Sequence, residues 1–184
     1  VCAEAGVPRE VALEGMRHAH PDPGALKKYI VEDRDKTIHF YNVFAANDPK
    51  STARVIDMVT GHLKGVEKII ILNSRSDRLF RSEQLVDAVR ELDFSYLLLT
   101  GEIPDKVESY ALRTGIPKNK VFPLGEPLPE VVYQKAWELT GKESHVLGIG
   151  NIAGRIKYGA QIVAHFKHKI QAGKKARKQG AVSG

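Results

Sequence analysis

From residue 51 onward the chain alternates two kinds of apolar pattern. Stretches with helical spacing of apolar residues cover 51–63, 82–92, 105–113 and 128–139, and each leads into a short run of consecutive apolar positions. Those runs are 67–73, centred on Ile69-Ile70-Ile71-Leu72, then 94–100 with Leu97-Leu98-Leu99, then 120–122, then 144–149. A strand that is apolar at successive positions has no polar face and is buried on both sides. Strands of this kind alternating with short helices predict a parallel sheet covered by helices on both faces. The expected fold is therefore α/β, a Rossmann-like three-layer sandwich with a mostly parallel sheet.

The flanks follow other rules. Pro8 suits a first helical turn, and Val11, Leu13, Met16 and Ala19 recur at roughly helical spacing, which predicts a helix over 7–20 stopped by Pro21-Asp22-Pro23-Gly24. Two β-prone runs, 29–31 and 37–44, surround the turn-forming residues 32–35 and predict a hairpin. After the last strand, Ile156, Ile162, Val163, Phe166 and Ile170 are expected to form the apolar face of a final helix. Residues 171–184, rich in Lys, Gly and Ala, read as a basic disordered tail. The division is thus a lead-in over 1–24, one domain over 25–170 and a tail over 171–184.

Charge sharpens this division. The 184 residues hold 28 Lys and Arg against 22 Asp and Glu, a net charge of +6. Every acid lies at or before Glu143, whereas eight bases from Arg155 to Lys178 follow Gly154 with no acid among them. The body is nearly neutral and the excess belongs to the C-terminal stretch, so a whole-domain nucleic-acid interface is disfavoured. That stretch offers only Tyr158 and Phe166 as aromatics, which argues against specific nucleic-acid recognition and leaves a salt-sensitive, non-specific role as the competing reading. Cys2 is the single cysteine, so an internal disulfide is excluded. No apolar run approaches the ~20 residues of a membrane helix. The chain lacks an initiator Met and begins as if within a helix, which reads as a fragment or processed product.

In open parallel sheets ligands bind beyond the C-terminal ends of the strands, so the residues there are the candidates. The strand 37–44 runs into Ala45-Ala46-Asn47-Asp48-Pro49-Lys50-Ser51-Thr52, where Asp48 and Pro49 can start a helix and Asn42 and Asn47 are surplus to that task. The next strand ends in Asn73-Ser74-Arg75-Ser76-Asp77-Arg78, with Arg81 close behind. Three arginines around one aspartate can hold carboxylates or phosphates, with Asp77 fixing one guanidinium; the competing reading is a solvated charged loop. Glu102 follows Thr100-Gly101 and could orient an ammonium group or cap a helix. The last strand runs into Gly148-Ile149-Gly150-Asn151-Ile152-Ala153-Gly154, whose small residues suit close approach of a ligand or a neighbouring domain. It follows the last strand, with no acid beyond it, so it is not a dinucleotide fingerprint. No phosphate-binding G-x-x-x-x-G-K-[ST] occurs, no two histidines lie at i, i+4, and no metal site is expected.

Residues 44–52, 73–78 and 148–154, in that order and at strand ends, resemble the C-terminal region of poly-γ-glutamate synthase ligase subunits, a capsule-biosynthesis family similar to the Mur ligases and folylpolyglutamate synthases. Ala12-Leu13-Glu14-Gly15-Met16 and Pro21-Asp22-Pro23-Gly24-Ala25-Leu26 also look like that family. The resemblance implies the C-terminal domain of an ATP-dependent amide ligase that joins glutamates through γ-linkages by way of an acyl phosphate. It implies ATP and Mg2+ bound mainly by a P-loop domain absent from this chain, with residues 1–24 as the lead-in from that domain. It further implies glutamate and poly-γ-glutamate as partners, membrane subunits of a synthase complex, and a location at the cytoplasmic side of the cell membrane. Homo-oligomerisation stays open. Arg75, Asp77 and Arg78 are the expected catalytic residues, and Asn42, Asn47, Asp48, Asn73, Arg81, Glu102, Gly150 and Asn151 the expected substrate- or nucleotide-binding ones. Ala46 stands where Mur ligases commonly carry a His, and Asn42 or Val43 stands where an Asp would meet the ribose, Asn42 being the best substitute. The alternative from the residues alone is a non-enzymatic Rossmann-like module that binds an anionic metabolite.

Overall fold

The computed structural model describes residues 4–18, 26–44, 46 and 48–180, the last ten of these by backbone alone. Helix α1 (Arg9–His18) precedes strands β1 (Lys27–Asp33) and β2 (Lys36–Asn42), which form the expected hairpin. Arg34 makes its tight turn in the left-handed region at φ 56°. There follow α2 (Pro49–Thr60), β3 (Glu67–Ser74), α3 (Leu79–Arg90), β4 (Tyr96–Gly101), α4 (Pro104–Arg113), β5 (Val121–Gly125), α5 (Pro129–Leu139), β6 (Glu143–Gly150) and α6 (Tyr158–Gly180). The six strands form one sheet in the order β1-β2-β6-β3-β4-β5, antiparallel only between β1 and β2.

The strand periodicity divides the core in two. On β3, Ile70 and Leu72 face a layer formed by Ile56 of α2, Leu85, Val86 and Val89 of α3 and Val107 and Ala111 of α4. The alternate residues Ile69 and Ile71 face Val132, Tyr133 and Ala136 of α5 and Ile162, Val163 and Phe166 of α6. This is the three-layer sandwich predicted from the unbroken apolar runs. Its two faces follow from chain direction: the crossovers from β2 outward to β5 run one way along the sheet, and the return to β6 runs the other. Right-handed connections place helices on opposite faces for opposite directions. Neighbouring β3 and β6 are therefore where the connections diverge, the position at which a crevice opens beyond the strand ends.

Some expectations need correction. Ile156 precedes α6 and is exposed, and Tyr158 takes the buried place at the start of that helix, its hydroxyl bonded to the Pro127 carbonyl at 2.5 Å. The backbone is helical through Gly180, where composition alone expected disorder from residue 171. Ala, Lys, Arg and Gln are strong helix formers, so the α6 helix propagates into that stretch without apolar residues. Strand β5 extends through Pro123 to Gly125, which an edge strand tolerates because no further strand needs the missing N–H. Residues 19–25, which include the expected helix stop, lie outside the described residues. Among the described residues no helix is long and apolar enough to cross a membrane.

Candidate functional site

The C-terminal ends of β3, β4 and β6 are tied together first. Asn73 is buried at the end of β3; its Nδ2 donates to the Asn151 carbonyl at 2.6 Å and its Oδ1 accepts from Thr100 Oγ1 at 3.2 Å. Asn151 answers with its backbone N–H, 3.0 Å from the Asn73 carbonyl, and with Nδ2 at 3.3 Å to the same oxygen. Gly101 and Gly150 flank this knot at φ +95° and +89°, and a Cβ on either would stand 2.1 Å from the Ser74 carbonyl oxygen or 2.5 Å from that of Asn73. The close approach expected of the 148–154 loop is thus made by the chain itself. Gly148 likewise leaves room for the Phe44 ring. Asn73, Gly150 and Asn151 shape the platform, with their polar groups engaged in the protein.

Upon that platform lies an open cleft of about 780 Å³ lined by Arg75, Ser76, Asp77, Gly101, Glu102, Pro104, Gly125, Glu126 and Arg155. Three of the expected residues meet here: Arg75, Asp77 and Glu102. The Arg75 guanidinium donates to Asp77 Oδ2 at 2.8 Å, so Asp77 fixes one arginine as the sequence suggested. Glu102 does not cap α4, which starts without a side-chain cap; its Oε2 accepts from the Ser76 backbone N–H at 3.2 Å and from Ser76 Oγ at 2.5 Å. Those two bonds, with Arg155 and Arg75 near by, hold the carboxyl below its ordinary range, so it is charged at neutral pH. The α4 N-terminus opens beside the cleft at Pro104, adding partial positive charge. The cleft therefore presents two guanidiniums and a helix end to anions and three carboxylates to a cation.

The remaining expected residues stand apart from the cleft lining. Asp48 caps α2 by accepting from the Ser51 N–H at 2.9 Å, and hydrogen bonding from Ser51, its side chain first and its backbone N–H second, lowers the Asp48 pKa. Arg81 donates to the Ala46 carbonyl at 3.3 Å, its Nε is buried without a partner, and burial lowers its pKa. Arg78 is half-exposed and lies 3.9 Å from Asp77. Asn42 is wholly buried; its Oδ1 accepts from the Phe44 N–H at 3.4 Å and its Nδ2 has no partner. Asn47 lies outside the described residues. Sequence reasoning passed over Arg155 and Glu126. Arg155 follows directly on the 148–154 loop yet belongs by composition to the basic stretch, and Glu126 follows the Gly125 that ends an edge strand with a positive φ.

The family described as Poly-gamma-glutamate synthase CapB C-terminal domain matches residues 28–169. A capsule biosynthesis protein CapB of Bacillus anthracis is 34% identical over 94% of this chain, which covers 37% of that protein. A PGA synthase CapB of Bacillus subtilis is 31% identical over 89% of the chain, which covers 42% of it. The chain thus spans about two fifths of the length of these relatives. Among solved structures, MurF of Acinetobacter baumannii superposes with a TM-score of 0.57 at 15% identity, over 90% of this chain and 35% of that one. MurF of Thermotoga maritima, solved in complex with ADP, gives 0.54 at 12% identity over 93% and 36%. At such identities the likeness to MurF shows the shared fold. The family match, by contrast, runs from the β1–β2 hairpin through every strand end described above and into α6. Matched by the family over residues 28–169 and 31–34% identical to two CapB proteins over most of its length, the chain belongs to the poly-γ-glutamate synthase CapB C-terminal domain family.

Proposed function

We propose that this chain is the C-terminal domain of an ATP-dependent ligase that extends poly-γ-glutamate, and that the cleft beyond β3–β5 receives the incoming glutamate. The observation that carries the reading is the presence of both charges in one cleft: Arg75 and Arg155 line it together with Glu102 and Glu126. Free glutamate has two carboxylates and one ammonium group, and such a lining offers a partner to each. Asp77 orients Arg75, and Ser76 holds Glu102 still and charged, so both groups meet the substrate without first being ordered.

Nucleotide fits this chain only at its edge. The Arg81 guanidinium, with Nε unpartnered beside the β2–α2 elbow, suits an anionic phosphoryl group. By family reading, Mg2+ is held with the nucleotide in the P-loop part of the larger protein. ATP, held there, supplies activation of the acceptor carboxylate. What this chain contributes is to bind the glutamate, to aim its amine and to exclude water when the two parts close. By family reading the complete enzyme works with membrane subunits at the cytoplasmic membrane face.

The experiment is substitution in the complete enzyme. Arg75→Ala, which removes a cleft guanidinium, is expected to cut glutamate-dependent ATP turnover at low glutamate at least tenfold, while Arg78→Ala, outside the cleft, costs severalfold at most. Wild-type turnover in Arg75→Ala across the glutamate range would sink the assignment.

A further inference from the structure

A second cluster of ligating side chains lies far from the cleft. His39 of β2 and His145 of β6 are direct partners across the parallel pair, and their rings stack with centroids 4.7 Å apart and planes 7° from parallel. Glu143 lies two residues before His145, hence on the same face of β6, and its Oε1 is 2.9 Å from His39 Nε2. One ligand atom from each of the three residues falls within 4.8 Å of the others. His145 is nearly buried, His39 largely so, and Glu143 is open to solvent, so the cluster has an inner wall and an outer lip.

Several features of this cluster are out of place in a plain sheet face. His39 Nδ1 is buried without a hydrogen-bond partner, a cost that an apolar residue at the same position would avoid. Tyr41, two residues along β2 from His39, places its hydroxyl 3.0 Å from His145 Nδ1. A hydrogen bond to one ring nitrogen sets the tautomer and turns the other toward a ligand, which is how histidines at metal centres are oriented. The His145 ring is buried, at 5% relative exposure. The groups that face it are His39, Lys28, Glu143 and His62; Lys28 and His62 are the basic neighbours that work against a cation.

We propose that His39, Glu143 and His145 form a binding site for a divalent transition-metal ion of the zinc type, separate from the cleft and from any nucleotide-bound Mg2+. Two imidazoles and a carboxylate with an open fourth position are a zinc ligand set, and imidazole nitrogen selects zinc over magnesium. Bonds of ~2.0–2.2 Å in tetrahedral array need ligand atoms about 3.4 Å apart. The exposed Glu143 side chain and a turn of the His39 ring close the gap from the present spacing. His145 lies five residues before Gly150 on β6, so the ion sits about 16 Å from the strand end that faces the cleft. Helical i, i+4 spacing does not reveal such a set, because its members come from adjacent strands at i, i+2 and across the ladder.

The test is calorimetric titration of ZnCl2, and separately MgCl2, into the 184-residue chain and its His39→Gln and Glu143→Gln variants. Glu143 is solvent-exposed, so its variant keeps the fold, and far-ultraviolet circular dichroism checks both. The expected result is one high-affinity zinc per wild-type chain, no magnesium heat, and at least tenfold weaker zinc binding in each variant. His18, His165 and His168 remain in both variants, so binding elsewhere would persist unchanged. Absence of the high-affinity event in the wild type, or wild-type zinc affinity in either variant, overturns the proposal.

Discussion

Gly101 and Gly150 leave no room for a side chain, and both abut the last two residues of β3. Gly101→Ala combines a left-handed backbone at φ +95° with a Cβ against the Ser74 carbonyl, so it should cost about 2–4 kcal/mol in chemical denaturation. Asn73→Ala would leave the Asn151 carbonyl and the Thr100 hydroxyl without that partner and should cost about 2 kcal/mol. Glu102 makes a prediction in pH. Its folded-state pKa is depressed chiefly by the Ser76 side chain, so the tether's contribution is complete above the ordinary value of 4.5 and is lost as pH falls on through the lower folded-state value. Carboxyl titration by nuclear magnetic resonance should show Glu102 protonating below its ordinary range in the wild type and moving back up in Ser76→Ala; identical titrations in the two would show that Ser76 does not hold it.

The Asp48 cap shows how far local pattern reaches among the elements. Asp48 followed by Pro49 marks the start of α2 in sequence, and the structure has that Asp on the Ser51 N–H. Asp48→Ala should lower the unfolding midpoint by a few degrees and Asp48→Asn should restore most of it, because asparagine caps as well as aspartate. Helix α1 buries none of its side chains, so a chain that begins at residue 26 should melt within a couple of degrees of the full chain. Most of this was legible: unbroken apolar runs announced doubly covered strands, and Glu32–Asp35 announced the hairpin turn. Sheet order was not legible, because insertion of β6 between β2 and β3 depends on which apolar faces find each other across more than seventy residues. Asn73 and Asn151 looked like ligand-binding residues for the same reason: sequence shows polar groups at a strand end, and only packing shows that they bond to one another.

For the molecule as a whole, the sheet brings the loops after β3, β4, β5 and β6 to one rim, and that assembly gathers Arg75, Glu102, Glu126 and Arg155 from four separate stretches of sequence. Arg155 is the residue that composition concealed, because it belongs in sequence to the basic C-terminal stretch and in space to the cleft. Its role is also the sharpest consequence of the proposed function: a guanidinium that holds a substrate carboxylate should govern glutamate binding and leave nucleotide binding alone. The direct measurement is ATP turnover by the complete ligase and its Arg155→Ala variant as a function of glutamate and, separately, of ATP. The account predicts a KM for glutamate raised at least tenfold with the KM for ATP within twofold of wild type; an unchanged KM for glutamate, or a loss confined to ATP, would contradict it.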